Sequence, residues 1–93
     1  MTDKTLTIRR AEVADSDALD RLAALDSAFP PTGAALVAEV GGELWAAIEL
    51  GSGTAIADPF RPSGDLVDLL RLHAHERLRP ERRALGRLLP RAA

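Results

Sequence analysis

The sequence contains no cysteine and no tyrosine, and its only aromatic residues are Phe29, Trp45 and Phe60. The absence of cysteine excludes disulfide bonds, zinc sites built from thiolates and a cysteine nucleophile. Because aromatic side chains are so few, any core must be built from aliphatic residues. Of the 93 residues, 46% are hydrophobic, mostly alanine and leucine, so the composition favours a folded domain over a disordered chain.

Long apolar runs are also missing. No segment approaches the roughly 20 apolar residues that a transmembrane helix requires. The N-terminal sequence MTDKTLTIRR lacks the apolar stretch of a secretory signal peptide. We therefore expect a cytoplasmic protein. A length of 93 residues predicts one small domain with a thin stability margin, which dimerisation would widen.

Charge is distributed unevenly along the chain. Residues 1–70 carry 5 basic and 12 acidic residues, whereas residues 71–93 carry 7 arginines and 2 glutamates. The basic end is typical either of a solvated helix surface or of a segment that packs against the acidic body of a neighbouring chain. It has no interleaved aromatic residues and no known nucleic-acid-binding pattern. We expect neither nucleic acid nor a membrane as its partner.

Apolar periodicity and turn residues predict the element order β-α-β-β-β-α. The predicted strands cover residues 5–10, 35–40, 43–50 and 54–57, and the predicted helices cover 16–26 and 64–79. Gly41-Gly42 predicts a two-residue hairpin turn. Alternation within residues 43–50 places Trp45 on one face of the sheet and four apolar side chains on the other, namely Leu44, Ala46, Ile48 and Leu50.

The sequence thus predicts an α+β fold in which a small antiparallel sheet packs against two helices. Pro80 is expected to end the second helix, since proline lacks an amide donor and clashes with the preceding turn. Residues 1–79 would then form the domain, and residues 80–93 would form a basic C-terminal helical segment. The last strand would have an open edge, which is a template for pairing with another chain.

The segment from Ile56 to Leu70, IADPFRPSGDLVDLL, predicts a strand–loop–helix junction. The N-terminus of a helix offers unpaired amides and a partial positive charge, which suit a phosphate group. Arg61 would add a forked donor, and Gly64 would allow close approach of the backbone. Alternatively, the carboxylate of Asp65 caps the helix itself, and the local residues favour this self-capped helix.

The chain resembles the N-terminal half of the GNAT superfamily of acetyl-CoA-dependent N-acyltransferases. The resemblance rests on three segments: TIRRAEVADSDALDRLAAL, the hairpin ALVAEVGGELWAAIEL, and the strand that leads into IADPFRPSGDLVDLL. In the family, the loop after this strand binds the pyrophosphate of CoA through its amides. The resemblance implies acetyl-CoA as the cofactor, with Arg61, Ser63, Gly64 and Asp65 as the residues at the cofactor.

The sequence departs from the family pattern at two positions of this loop, where Pro62 and Leu66 replace glycines. The family's second half, which supplies one wall of the CoA groove and often a catalytic tyrosine or cysteine, has no counterpart here. A glutamate of the central strands serves as general base in some members, so Glu39 and Glu49 are the candidate catalytic residues. An exposed carboxylate on an alternating strand is the simpler interpretation of both.

Two histidines complete the candidates for chemistry. His73 lies on the apolar stripe of the second helix, which predicts a hydrogen-bonded histidine in the core or at an interface. His75 is expected to be exposed. Their i, i+2 spacing places them on different helix faces, so no metal site is predicted.

Two hypotheses follow for the function. The first is a non-catalytic GNAT-like domain that acts through self-association or binding to another protein, as a homodimer or with a partner at the sheet edge and second helix. The second is a minimal acetyl-CoA-binding protein or N-acetyltransferase that works as a dimer.

Overall fold

The computed structural model describes residues 5–88, with side chains described as far as residue 76. The elements, in chain order, are β1 (Leu6–Arg10), α1 (Ser16–Leu25), β2 (Ala35–Val40), β3 (Glu43–Glu49), β4 (Ala55–Ala57) and α2 (Gly64–Leu88), with one short 3-10 turn, Val13–Asp15, before α1. The four strands form an antiparallel sheet in the order β1-β2-β3-β4. The predicted α+β class, antiparallel sheet and two helices are confirmed.

The turns follow from the residues that occupy them. Gly41 and Gly42 connect β2 to β3 with φ angles of 58° and 89°, a left-handed conformation that glycine adopts without steric cost. The end of α1 uses Ser27 in the same region, with φ 51°. The next amide, of Ala28, donates to the carbonyl oxygen of Ala23 at 2.8 Å, which closes the helix before the prolines at 30 and 31.

The two helices cover opposite faces of the sheet, so the strands are buried on both sides. On one face, α1 packs against apolar residues of three strands: Val37, Leu44, Ala47 and Ile56. On the other face, Leu70 of α2 packs against Leu36, Ala38, Ala46 and Ile48. Burial on both faces explains why the sequences of β2 and β3 are almost entirely apolar.

A β-bulge in β3 overturns the predicted alternation of that strand. Ala38 pairs with Ala46, whereas the next residue of β2, Glu39, pairs with Leu44, so Trp45 is the extra residue. The bulge moves the side chain of Leu44 to the face covered by α1, while Ala46 stays on the face covered by α2. The prediction that both share one face was therefore wrong.

The second helix is longer than predicted, since α2 runs from Gly64 to Leu88 without ending at Pro80. A proline removes a single amide donor, and a helix can continue through it where the flanking residues favour helix. The side chains of the predicted basic segment, residues 80–93, lie outside the described residues. Over residues 5–88, no helix has both the length and the hydrophobicity needed to cross a bilayer.

Candidate functional site

The loop between β4 and α2 closes around Asp58. The amide of Asp58 donates to the carbonyl oxygen of Trp45 at 2.9 Å, which extends the pairing with β3. The carboxylate of Asp58 accepts from the amide of Phe60 at 2.8 Å, and its carbonyl oxygen accepts from the amide of Arg61 at 3.2 Å. These bonds make an Asx-type turn, so the loop has a defined shape of its own.

Ser63 occupies the N-cap position of α2, because its carbonyl oxygen accepts the first helical bond, from Val67 at 3.1 Å. Its hydroxyl donates to the carbonyl oxygen of Asp58 at 2.9 Å and is therefore turned into the loop. The residue is only 6% exposed. A serine hydroxyl in this position ties the helix to the loop and is not presented to a ligand.

The first turn of α2 carries amides without acceptors. In the described part of the chain, the amides of Gly64, Asp65 and Leu66 have no hydrogen-bond acceptor, and the exposed Asp65 side chain makes no hydrogen bond. The predicted carboxylate cap is therefore not formed, because Asp65 lies within the helix and not at its N-cap. A Cβ added at Gly64 would meet open space, so no close contact requires glycine there.

The guanidinium of Arg61 is already surrounded by groups that attract a cation. It lies 5.2 Å from the centroid of the Trp45 ring. Its Nη2 is 3.3 Å from Oε1 of Glu43, and its Nε is 4.0 Å from Oδ2 of Asp58. Both the ring and the carboxylates hold the positive charge in place, so an anionic ligand would have to compete with them.

Glu39, the first candidate base, belongs to an ion-pair network with Arg9. The Nε of Arg9 donates to Oε1 of Glu39 at 2.9 Å, and the two terminal nitrogens donate to the carboxylate of Asp15 at 2.8 and 2.9 Å. Hydrogen bonds to Asp15 and to Glu39 raise the pKa of Arg9 above its usual value. The network fastens β1 and β2 to the start of α1, which is a structural role for Glu39.

Glu49, the second candidate base, is an anchor for the segment that precedes β2. Its Oε2 accepts from the amides of Thr32 and Gly33 at 2.8 and 3.0 Å and from the Thr32 hydroxyl at 3.1 Å. Its Oε1 accepts from the Ser52 hydroxyl. The Ser52 bond, followed by those from Thr32 and Gly33, lowers the pKa of Glu49 from 4.5 to about 2. A carboxylate this weakly basic is poorly suited to accept a proton.

The structure does not bring the two candidate bases together. Glu39 pairs with Leu44 near the hairpin turn, whereas Glu49 pairs with Ala35 at the other end of the same two strands. The two positions are four residues apart along β2, a distance of about 13 Å. They cannot act on one reacting atom as a pair.

The outer edge of β4 shows unpaired backbone groups. The amide of Glu49 donates to the carbonyl oxygen of Thr54 at 2.8 Å, and the amide of Asp58 donates to the carbonyl oxygen of Trp45. Residues 54, 56 and 58 therefore bond to β3, whereas the backbone amides and carbonyls of the alternate residues, Ala55 and Ala57, point away from it. Oδ2 of Asp26 accepts from the outward amide of Ala57 at 3.1 Å. Within residues 5–76, the outward amide and carbonyl of Ala55 have no hydrogen-bond partner.

A pocket of about 230 Å³ lies beside this edge. Its walls come from the segment after α1 and from two strands; its lining residues are Phe29, Pro30, Pro31, Thr32, Glu49, Thr54 and Ile56. The Phe29 side chain is 90% exposed, and Phe60, three residues after β4, is 80% exposed. Two of the three aromatic residues are thus exposed to solvent and contribute nothing to the core.

Sequence reasoning missed Phe29 and Asp26 as functional candidates. A signal was present, because an aromatic residue followed by two prolines is poorly placed for an aliphatic core. His73 is hydrogen-bonded as predicted, with Nδ1 3.0 Å from the carbonyl oxygen of Leu69, but it is exposed and does not lie in the core. His75 is exposed, as predicted. No cluster of metal-ligating side chains occurs within the part of the chain that the structure describes.

No family model matches the sequence, and no curated protein or solved structure matches it at a significant level.

Proposed function

We propose that this chain is a non-catalytic association domain that pairs with another chain through the outer edge of β4. The observation that carries the proposal is the free ladder position at Ala55, with the exposed rings of Phe29, in the pocket beside Ile56, and of Phe60, three residues after β4. Unpaired strand edges recruit further strands, and exposed aromatic residues are enriched at protein interfaces.

The chemistry of the junction supports association over catalysis. Arg61 is engaged with Glu43, Asp58 and the Trp45 ring, and the Ser63 hydroxyl is turned into its own loop. Glu39 and Glu49 are both used as structural acceptors. The side chains of Arg61, Ser63, Glu39 and Glu49 thus all have structural partners within the domain.

A GNAT-like ancestry is part of the proposal. It is supported by the order of elements, β-α-β-β-β-α, which follows the family's first half except for the second helix that the family carries between its first helix and the hairpin. β4 is an edge strand of the described sheet, and a partner would cover its outer edge. The cytoplasmic location remains a prediction from the N-terminal sequence.

A homodimer is the simplest form of this association, with exposed Leu72 on α2, 54% accessible, as a second contact. Sedimentation velocity from low to high micromolar concentration tests it. We expect a dimer whose dissociation constant rises about tenfold in Phe29→Asp and in Phe60→Asp. Val13→Asp is the matched control, since Val13 is 92% exposed and lies away from β4. A strict monomer at high micromolar concentration contradicts the proposal.

The second candidate function is acetyl-CoA binding at the start of α2, and one observation favours it. The amides of residues 64–66 have no acceptor among the described residues, and Gly64 leaves space above them. Calorimetric titration of acetyl-CoA tests this function. Micromolar binding that Arg61→Ala abolishes supports it, whereas no heat at millimolar ligand and no competition by free CoA exclude it.

A further inference from the structure

The pocket beside β4 combines apolar walls with one negative charge. The exposed Phe29 and the half-buried Pro30 and Pro31 form one wall, and the buried Ile56 contributes to the lining. Glu49 supplies the charge, and its two oxygens are unequally used. Oε2 accepts three hydrogen bonds, whereas Oε1 accepts one, from Ser52, and so retains acceptor capacity.

The register of β4 determines which side chain of an added strand would reach this pocket. The side chain of Ile56 points to the face covered by α1, and those of Ala55 and Ala57 point to the face covered by α2. A residue paired with Ala55 therefore sends its side chain toward α2. Its two neighbours, beside Thr54 and Ile56, send theirs toward the pocket.

The edge also limits the length and the charge of what can pair with it. The amide of Ala57 already donates to the carboxylate of Asp26, so an added strand can form backbone hydrogen bonds only with Ala55. The carboxylates of Asp26 and Asp58 lie at the C-terminal end of β4, and the carboxylate of Glu49 lies in the pocket. A negative field of this kind favours a basic segment and disfavours an acidic one.

We propose that β4 and its pocket bind a short extended segment of a partner protein that places a lysine or arginine beside Glu49. The aliphatic stem of that side chain packs against Phe29 and the prolines, and its cationic head donates to the free position on Glu49 Oε1. The segment's backbone exchanges hydrogen bonds with the amide and carbonyl of Ala55. This inference rests on the proposed association function and names the chemistry of the partner.

The test uses fluorescein-labelled Thr-Val-Arg-Val-Thr and two matched peptides, in which alanine or glutamate replaces the arginine. Fluorescence anisotropy with the full chain should show at least about tenfold weaker binding for the glutamate peptide. Phe29→Ala should weaken binding of the arginine peptide, and Glu49→Gln should reduce the difference in affinity between the arginine and glutamate peptides. Val13→Ala should change neither the affinity nor this difference.

Backbone pairing is tested from both sides. Ala55→Pro removes an outward amide and no bond to β3, so it should abolish peptide binding while the fold persists. If this variant does not fold, N-methylation of both peptide valines removes the same pairing from the partner's side, and it should also abolish binding. Binding that survives N-methylation overturns the inference.

Failure of the inference is distinguishable from failure of the proposed function. Equal binding of all three peptides overturns the basic segment alone. So does the absence of binding at protein concentrations below the dimer dissociation constant, for a chain that self-associates through Phe29 at higher concentration. A chain that neither self-associates nor binds any of the peptides overturns both.

Discussion

The carboxylate of Asp26, directly after α1, accepts a hydrogen bond from the outward amide of Ala57 at 3.1 Å. This contact joins the end of the first helix to the open edge of the sheet, 31 residues further along the chain. A side chain that occupies a ladder position blocks that position for another strand, which is one way in which proteins control exposed edges. One outward amide of β4 is therefore already bonded, and the backbone amide and carbonyl of Ala55 are the groups available to another strand.

Removal of the Asp26 carboxylate should increase association through β4. In Asp26→Ala the amide of Ala57 becomes available to a partner strand, so we expect the dimer dissociation constant to fall about threefold or more. The free energy of unfolding should fall by about 0.5–1 kcal/mol, since an exposed hydrogen bond is lost. Sedimentation and chemical denaturation measure the two effects. Asp20→Ala, an exposed aspartate within α1, is the control and should leave both unchanged.

The ion pair of Arg9 with Asp15 should make stability depend on acid pH. The side-chain bond from Arg9, and then the bond from the amide of Glu12, lower the pKa of Asp15 from 3.8 to about 2. Because the folded state holds this pKa down, the contribution is complete above about pH 4 and is lost as the pH falls toward 2. Asp15→Asn should be less stable than the parent chain at pH 7, by about 1 kcal/mol.

The difference between Asp15→Asn and the parent chain should shrink as the pH falls from 4 to 2. Urea denaturation at several pH values measures it, and the comparison isolates Asp15 from the parallel titration of Glu49, which both chains share. A difference that stays constant over this range means that the ion pair does not act as described.

Glu49 should slow the hydrogen exchange of two backbone amides, those of Thr32 and Gly33. Its Oε2 accepts from Thr32 and Gly33, and glutamine at this position retains one acceptor oxygen but loses the charge. We expect hydrogen exchange at Thr32 and Gly33 to accelerate about tenfold in Glu49→Ala and less in Glu49→Gln. Glu76→Gln, an exposed residue of α2, is the control. Unchanged exchange in Glu49→Ala contradicts the anchoring role.

The core beneath α2 should be sensitive to loss of volume at Leu70. Leu70 is fully buried and packs against the sheet, whereas Leu72, two residues further along the same helix, is 54% exposed. Leu70→Ala should lower the free energy of unfolding by about 2–5 kcal/mol, and Leu72→Ala should change it by no more than about 0.5 kcal/mol. Thermal and urea denaturation compare the pair. Equal effects would show that α2 packs differently.

The effect of Arg61→Ala distinguishes the two candidate functions. Under the association account, its stacking on Trp45 and its bond to Glu43 make a modest structural contribution, and Arg61→Ala should lower the free energy of unfolding by about 0.5–1 kcal/mol. The fluorescence of Trp45, the one tryptophan, reports the lost contact. Loss of measurable acetyl-CoA binding in the same variant would instead support the second function.

Much of the fold could be predicted because local residues determine it. Gly41-Gly42 specifies the hairpin by its left-handed backbone, and the periodicity of residues 16–26 specifies α1. The bulge at Trp45 could not be predicted, because it depends on which residues of β2 face which residues of β3. The continuation of α2 past Pro80 could not be predicted from the proline alone, because proline disfavours a helix but flanking residues that favour helix can offset it.

The candidate site was less predictable than the fold. Glu39 and Glu49 were identified by residue type, but their hydrogen-bond partners, Arg9 and Thr32, come from distant parts of the chain. The contact between Asp26 and Ala57 likewise depends on how α1 sits against the sheet. Residue type indicates which chemistry is available, and only the fold shows whether a group is already engaged.

Hydrogen exchange at the amide of Ala55, followed from low to high protein concentration, tests the association of β4 edges most directly. The account predicts that protection of Ala55 grows in step with dimer formation, while the amide of Ala57, already bonded to Asp26, changes little. Exchange at Ala55 that stays fast at concentrations where the dimer is fully formed would contradict it, and the association surface would then lie elsewhere.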